Sequence, residues 1–326
     1  MRTALVTGGT GLVGSNLVHA LVHLGVRVRV LARGTDDRAL RGADAEVVRG
    51  DVRNENDVFR AMKGCDTVFH TAAIVSYWRR ERDMMTAVNV AGTSTVVDAA
   101  LRQNVERFIH TSSIATIGPD PHDAVMTEET PFVPGRRPAA YRVTKWRSER
   151  IVLEAVRVGL PAVIVNPAVI MGPRDHRVHG GRIVRDVARR RIFYATMGGT
   201  NIVSANDVAD GHIAAAKQGR IGERYILAGE NRTFAEIFQI VAEETGGVAP
   251  KFIVPTPMVR AIAATVESMS AILRVKPWIT RELVSGTGRR RQYSSEKAAR
   301  ELGYEPRSLR QTVRETVEWF REEGLL

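Results

Sequence analysis

The stretch Thr7-Gly8-Gly9-Thr10-Gly11-Leu12-Val13-Gly14 decides how the rest of the chain is read. An apolar run, Ala4-Leu5-Val6, leads into it, and a helical pattern of Leu17, Val18, Leu21, Val22 and Leu24 leads out. A strand that turns on glycines into a helix brings backbone N–H groups and the positive end of the helix dipole to one point, where a phosphate can sit. Gly8 permits the tight turn, Gly11 admits a pyrophosphate close to the backbone, and Gly14 lets the helix pack on the strand. The spacing is Gly-x-x-Gly-x-x-Gly rather than the commoner Gly-x-Gly-x-x-Gly, and Gly9 leaves no side chain in the way. Gly8, Thr10, Gly11, Leu12, Val13 and Gly14 are the expected cradle for a dinucleotide pyrophosphate.

Outward from this turn, strand-like and helix-like segments alternate, as a parallel sheet covered by helices on both faces requires. Strands are expected at 26–31, 45–48, 67–70, 107–110 and 162–165, and helices at 55–62, 83–103 and 140–158. After Gly172-Pro173 the alternation becomes irregular, with helical patterns at 206–217, 233–245, 258–273, 294–302 and 308–322 and a strand at 224–227. The expected division is a dinucleotide-binding domain over 1–173 and a smaller substrate-binding lobe over 174–326, with a segment near 200–217 returning to the first. The apolar helix at 258–273 reads as core or cleft wall rather than a membrane anchor, because Arg260, Glu267 and Arg274 interrupt or end it.

Composition narrows the class. The chain has 326 residues, 44% hydrophobic and 25% charged, which fits a globular protein with a large core. A strand begins by residue 3 and no apolar run reaches the roughly 18 residues that span a bilayer, so no leader and no membrane span are expected. The single cysteine, Cys65, excludes an internal disulfide and a cysteine-based metal cluster within one chain, and reads as a small buried hydrophobe. No metal site is expected, and a reducing, cytoplasmic setting is. The net charge of +11 is spread along the chain as arginine, and aromatics are only 6%. A nucleic-acid module concentrates both, so the charge is read as serving solubility and an anionic cofactor instead.

In dinucleotide-binding folds, an acid at the end of the second strand meets the 2′-hydroxyl of NAD, whereas an arginine there suits the 2′-phosphate of NADP. Here that strand ends Leu31-Ala32-Arg33, and Asp36 and Asp37 come later, so NADP is favoured over NAD. Asp51 could accept from the adenine amino group, with Val52 against the ring. Thr71-Ala72-Ala73 places small residues where backbone must run close to the cofactor, Ala72 and Ala73 above all.

Tyr141 and Lys145 stand four apart on an expected helix and share one face. A phenol with a pKa of roughly 10 serves general acid–base work at neutral pH only if neighbouring positive charge lowers it. A nearby ammonium, that of Lys145, and the positively charged nicotinamide are the expected sources of that charge. Ser112 and Ser113 follow the strand at 107–110, where a hydroxyl can meet a substrate oxygen.

Taken in order, these motifs resemble the extended branch of the short-chain dehydrogenase/reductase superfamily. The resemblance also rests on Gly50-Asp51-Val52, His70-Thr71-Ala72-Ala73, Asn89-Val90-Ala91-Gly92-Thr93, Thr111-Ser112-Ser113, Tyr141-Arg142-Val143-Thr144-Lys145 and Asn166-Pro167-Ala168-Val169-Ile170-Met171-Gly172-Pro173. It continues to 293–304 and so covers essentially the whole chain. It implies an α/β fold with a Rossmann-type doubly wound parallel sheet and a smaller C-terminal substrate-binding lobe. It further implies that Tyr141 is the acid/base, that Lys145 binds the nicotinamide ribose, and that Ser113 orients the substrate oxygen. Thr111, Pro167 and Val169 would lie at the cofactor, and a homodimer would form through the helices at 83–103 and 140–158.

Departures from the branch narrow it. Val169 stands where sugar-nucleotide members often carry an asparagine, and Ile114-Ala115 replaces the acidic pair of the 4,6-dehydratases. Residues 28–33 look most like dihydroflavonol-4-reductase-like and 3β-hydroxysteroid dehydrogenase-like members. The expectation is an NADP-dependent oxidoreductase interconverting an apolar carbonyl compound and its alcohol. A sugar epimerase using NAD, with Arg289–Arg291 meeting a diphosphate, and a non-catalytic NADP sensor are the alternatives. Met126, Phe132, Phe193 and Met197, and the loop from Gly118 to Pro138, are the residues from which an apolar substrate pocket could be built.

Overall fold

The computed structural model describes residues 1–118, 124–135 and 138–326. Its strands in chain order are β1 (Thr3–Thr7), β2 (Arg27–Ala32), β3 (Ala45–Arg49), β4 (Thr67–His70), β5 (Arg107–Thr111), β6 (Ala162–Pro167), β7 (Val169–Met171), β8 (Tyr194–Ala195), β9 (Gly199–Ser204), β10 (Arg224–Leu227), β11 (Glu230–Thr233) and β12 (Phe252–Ile253). The helices are α1 (Leu12–His23), α2 (Glu55–Met62), α3 (Arg82–Thr86), α4 (Gly92–Arg102), α5 (Ala140–Arg157), α6 (Arg182–Ala188), α7 (Ala205–Gln218), α8 (Phe234–Thr245), α9 (Thr256–Leu273), α10 (Arg281–Val284), α11 (Glu296–Leu302) and α12 (Leu309–Glu322).

Seven strands form one parallel sheet in the order β10-β6-β5-β4-β1-β2-β3. β1 explains why its sequence reads as an unbroken apolar run. Ala4 and Val6 point into the layer shared with Leu17, Val18, Leu21, Val208 and Ile213, while Leu5 points into the opposite layer with Val58, Met62, Val96 and Val152. A strand buried on both faces cannot alternate with polar residues. Cys65 lies in the second layer as a small hydrophobe, its thiol pushed up by burial. The chain leaves β1 toward β2 on one side and returns to β4 on the other. This change of direction opens a crevice at the carboxyl ends of β1 and β4, the place where open parallel sheets take ligands.

The strand expected at 224–227 is β10, and it pairs with β6 at the edge of this sheet rather than building the lobe. α7 packs on α1, so the chain from α7 to β10 belongs with the main sheet. The lobe has its own small sheets, β11-β9-β7 and β12-β8, and a core around Met171, Val184, Ile237, Val241, Val313 and Phe320.

One expected helix differs in kind. The path over 83–103 is continuous, but residues Ala87–Ala91 wind as a π-helix between α3 and α4. Asn89 within it is buried and holds both backbone groups of Ile74, accepting from its N–H at 2.8 Å and donating to its carbonyl at 2.9 Å. The extra residue in that turn carries Asn89 inward, a common use of a π-bulge beside a functional site.

Candidate active site

The glycine turn is built by close approach. Gly8 has φ +73°, and a Cβ there would stand 2.7 Å from the Ala72 Cα. A Cβ on Gly14 would stand 2.3 Å from the Gly8 carbonyl oxygen. The turn closes with Gly11 N–H donating to the Gly8 carbonyl at 2.9 Å, and Gly11 caps α1 without any side-chain hydrogen bond. The first N–H groups of a helix have no partners within it. Those of Leu12, Val13 and Gly14 are therefore left for an anion, and the cradle fits a dinucleotide pyrophosphate. Thr10 lies in the same turn. Asn16 fixes the start of α1 to the second half of the chain, donating to the Leu12 carbonyl at 2.8 Å and to the Pro173 carbonyl at 2.9 Å.

Below the crevice, buried polar groups tie β1, β4 and the start of α4 together. Thr93 donates to the Asn89 carbonyl, so its oxygen receives the Nε2 proton of His70 at 3.0 Å. The His70 Nδ1 then accepts from the Thr7 hydroxyl at 2.8 Å. Burial, with the Lys145 charge adding to it, holds His70 down at about 3, so it stays neutral. Ala72 N–H donates to the Thr7 hydroxyl at 3.3 Å, which keeps the Thr71-Ala72-Ala73 backbone against the turn. Ala72 is half-buried and Ala73 is exposed.

Arg33 lies just past β2, exposed and without an ion pair among the described residues. The two acids that follow are both taken: Asp36 by Arg38 at 2.9 Å and Asp37 by Arg49. Asp51 already serves as an acceptor within the protein. Arg53 grips both its oxygens, at 3.0 and 2.7 Å, and holds its carboxyl below the usual range, with Arg33 acting in the same direction. Val52 is buried in the second layer, so any contact with a ring is made by a side chain already packed in place.

Tyr141 and Lys145 sit in the first turns of α5, both buried, facing the end of β5. Lys145 Nζ donates to the Thr111 carbonyl at 2.6 Å. Burial lowers its pKa to about 8, and Glu149 one turn on opposes the shift. The Thr111 hydroxyl donates to His212 Nε2 at 2.7 Å, because His212 Nδ1 gives its proton to the Val208 carbonyl at 2.6 Å. Ser113, two residues past Thr111, receives the Ala115 N–H on its hydroxyl at 3.1 Å and stands beside Tyr141. Ser113, Tyr141 and Lys145 are thus brought together, at the carboxyl edge of the sheet. Pro167 ends β6 on the same edge, and Val169 begins β7, 36% exposed.

One part of that expectation is corrected here: the Lys145 ammonium is not what sets the Tyr141 phenol within the protein. Tyr141 is pushed above, not below, its usual range, because burial outweighs the Ser113 hydroxyl that opposes it, and Tyr77 adds in the direction of burial. At neutral pH the phenol keeps its proton.

Several residues at the site escaped the sequence reading. Tyr77 meets Tyr141 edge-on, with ring centroids 6.4 Å apart. Glu149 is buried, and one of its oxygens accepts from the Thr116 hydroxyl at 2.8 Å and from Asn166 at 2.6 Å, while the Thr116 N–H and the Asn166 amide donate to the Ser113 carbonyl at 3.1 and 3.2 Å. Its place, eight residues after Tyr141 on one helix face, is the signal that could have found it. Glu282 of α10 accepts the Ala140 N–H at 2.8 Å and so clamps the lobe to the start of α5. The expected pocket residues divide. Met126 is core, Phe132 stacks on Trp146 at 5.6 Å, and Phe193 and Met197 are exposed. Residues 119–123 and 136–137 of the expected pocket loop lie outside the described residues.

Residues 4–228 match the NAD dependent epimerase/dehydratase family. Sterol demethylase protein B of Methylococcus capsulatus is 36% identical over 331 residues, covering 99% of this chain and 100% of that protein. A putative dihydroflavonol 4-reductase of Synechocystis sp. is 34% identical, covering 98% of this chain and 94% of that protein. The crystal structure of gox2253 superposes with a TM-score of 0.87 at 35% identity, each chain covered completely.

Proposed function

Because the chain belongs to the NAD dependent epimerase/dehydratase family, within the extended short-chain dehydrogenases/reductases, we propose that it is an NADP-dependent oxidoreductase interconverting a hydrophobic ketone or aldehyde and its alcohol. That it is an NAD(P)-dependent enzyme follows from the family. The observation that carries the finer reading is the group of half-buried Ser113 with buried Tyr141 and Lys145, facing the crevice beyond the glycine turn.

Gly8, Thr10, Gly11, Leu12, Val13 and Gly14 would hold the pyrophosphate, Ala72, Ala73 and Thr111 would line the middle of the cofactor, and Pro167 and Val169 would meet the nicotinamide. When bound, that cofactor supplies or takes a hydride at the nicotinamide C4. Tyr141 holds the transferable proton at its Oη, and its raised pKa keeps the proton there until a developing alkoxide is basic enough to take it. Ser113 donates to the same oxygen, its carbonyl held by the Thr116 N–H and by the Asn166 amide, which Glu149 in turn holds. Lys145, anchored on Thr111, places a positive charge beside the cofactor ribose. A hydrophobic substrate is favoured by Val169, apolar and exposed at the edge of the crevice, and by relatives named for sterol and dihydroflavonol chemistry. The groove between α4 and α5, lined by Val97, Leu101, Ile151 and Val158, supports the expected homodimer.

The test is a screen of hydrophobic ketones and alcohols for absorbance change with NADP(H), with NAD(H) run alongside. Oxidation of NADPH by a subset of ketones is expected. Inertness toward all of them, with NAD carried through purification on the protein, points instead to the epimerase reading. That alternative draws on Arg291, whose guanidinium shares a small cavity with Arg142 and has no ion pair among the described residues.

NADP preference rests on Arg33, exposed at the end of β2 while Asp36 and Asp37 are held by their own arginines. Arg33→Asp is expected to move the ratio of NADPH to NADH affinity toward NADH by about ten-fold or more, the scale of one charge-assisted contact. Fluorescence titration with both cofactors measures it, and an unchanged ratio removes Arg33 from the role.

A further inference from the structure

α9 was expected to be core or cleft wall, and only one of its faces is. Val259, Ala263 and Ser270 are buried, with Val266 packed beside them against Ile279 and Val284. A second apolar face runs the length of the helix in open solvent: Met258 is 58% exposed, Ile262 42%, Met269 56%, Ile272 81% and Leu273 65%. These recur at helical spacing and form one stripe about 23 Å long. At its start the stripe continues into β12, where Phe252 and Ile253 are 72% and 59% exposed. An apolar surface this long on one helix marks an interaction site rather than scattered exposure.

The charges around it say what covers it. From 248 to 278 the chain carries Lys251, Arg260, Arg274 and Lys276 against Glu267 alone; Glu267 pairs with Arg281 and Lys276 with Glu81, which leaves the charges of Lys251, Arg260 and Arg274. Arg274, exposed, ends the helix in the left-handed conformation, and neither it nor Lys251 has an ion pair among the described residues. Trp278, 59% exposed, follows them. An apolar helical stripe with arginine, lysine and tryptophan at its ends is the pattern of a helix lying in a bilayer surface, where the side chains enter the acyl boundary and the cations meet anionic headgroups. Among the described residues, no helix is long and apolar enough to cross a membrane.

We propose that the exposed face of α9, with the β12 tip, docks the protein on the surface of an anionic lipid bilayer. α9 is tied to the site in two places. Lys276 pairs with Glu81 at 2.9 Å and lies over the Trp78 ring, next to the segment carrying Tyr77, and Glu282 holds the first residue of α5. A bilayer under α9 therefore lies beside the part of the lobe that meets the start of α5. The proposal goes beyond the oxidoreductase reading and does not need it.

Sedimentation of the full chain with vesicles tests this, using phosphatidylcholine alone and phosphatidylcholine mixed with phosphatidylglycerol. Binding to the mixed vesicles is expected, weakening as salt is raised. Ile272→Glu and Leu273→Glu should each reduce it about ten-fold or more, and both should fold, since the positions are open to solvent. Turnover of a water-soluble ketone without vesicles should be unchanged in both variants. No binding to mixed vesicles, or binding indifferent to Ile272→Glu, overturns the proposal. So does a wild-type assembly that Ile272→Glu dissociates in the absence of lipid, which would make the face a contact between copies. A chain that turns over ketone without binding vesicles refutes the docking alone; one that binds vesicles without turnover refutes the oxidoreductase reading alone.

Discussion

Tyr141→Phe is expected to bind NADPH as tightly as the parent protein and to turn over ketone about 10²–10⁴-fold more slowly, the range for loss of a positioned general acid. Phenylalanine keeps the ring that packs against Met85 and Tyr77, so the melting temperature should change little. Only the hydroxyl, with its proton and its hydrogen bond to Ser113, is lost. The parent protein should show the matching pH dependence. Tyr141, raised by burial, stays protonated through neutrality, while Lys145 loses its proton as pH rises through about 8. Below that value the ammonium is present and turnover in the reducing direction is full; above it the charge is lost and turnover declines. A steady-state pH profile and a cofactor titration check both parts. Near-normal turnover of Tyr141→Phe would remove the phenol from the chemistry.

Gly14→Ala is expected to cost at least about 100-fold in cofactor affinity and to lower the melting temperature. Its new Cβ would fall 2.3 Å from the Gly8 carbonyl oxygen and 2.8 Å from the Gly9 Cα, and both are backbone atoms that cannot swing away. α1 must move off the turn, an overpacking that costs about 1–3 kcal/mol. The displaced N–H groups then miss the pyrophosphate, at roughly 1.5–3 kcal/mol for each hydrogen bond to a charged group. Gly11→Ala separates the two effects. Its Cβ would meet only the Gly8 carbonyl oxygen, at 3.3 Å, and Gly11 already has φ −91°. Its fold should persist while binding falls, because the methyl occupies the approach to the phosphates. Calorimetric binding and thermal melts of the two variants distinguish the cases, and a Gly14→Ala protein with parental affinity would contradict the cradle.

The parts legible in the sequence are those with a strong local signal. β1, the glycine turn and α1 show a period change from apolar run to helical spacing at the turn itself, and β4, α2 and β10 have their expected limits. The catalytic candidates stand at strand ends and on one helix face, so their assembly follows from the sheet. β8 and β12 have two residues each and no period to read. β9 mixes Gly199, Thr200 and Asn201 with apolar residues, because Gly199 lies against the Arg232 backbone and buried Asn201 bonds both backbone groups of Gly229. The π-helix at Ala87–Ala91 is invisible to helical spacing, since one extra residue shifts the pattern without breaking it. Tyr77 and Glu282 reach the site from segments far apart in the chain. α9 has the clearest limit: its pattern shows apolar faces but not which of them a neighbour covers.

The central claim is net carbonyl reduction at the Ser113, Tyr141 and Lys145 site. It is tested most directly by incubating the protein with a hydrophobic ketone and NADPH deuterated on the transferred face of nicotinamide C4. Consumption of one cofactor per alcohol formed, with deuterium on the carbinol carbon and neither event in Tyr141→Phe, is the predicted result. Unconsumed NADPH and an unlabelled product, from a protein that keeps NAD bound through purification, would contradict it.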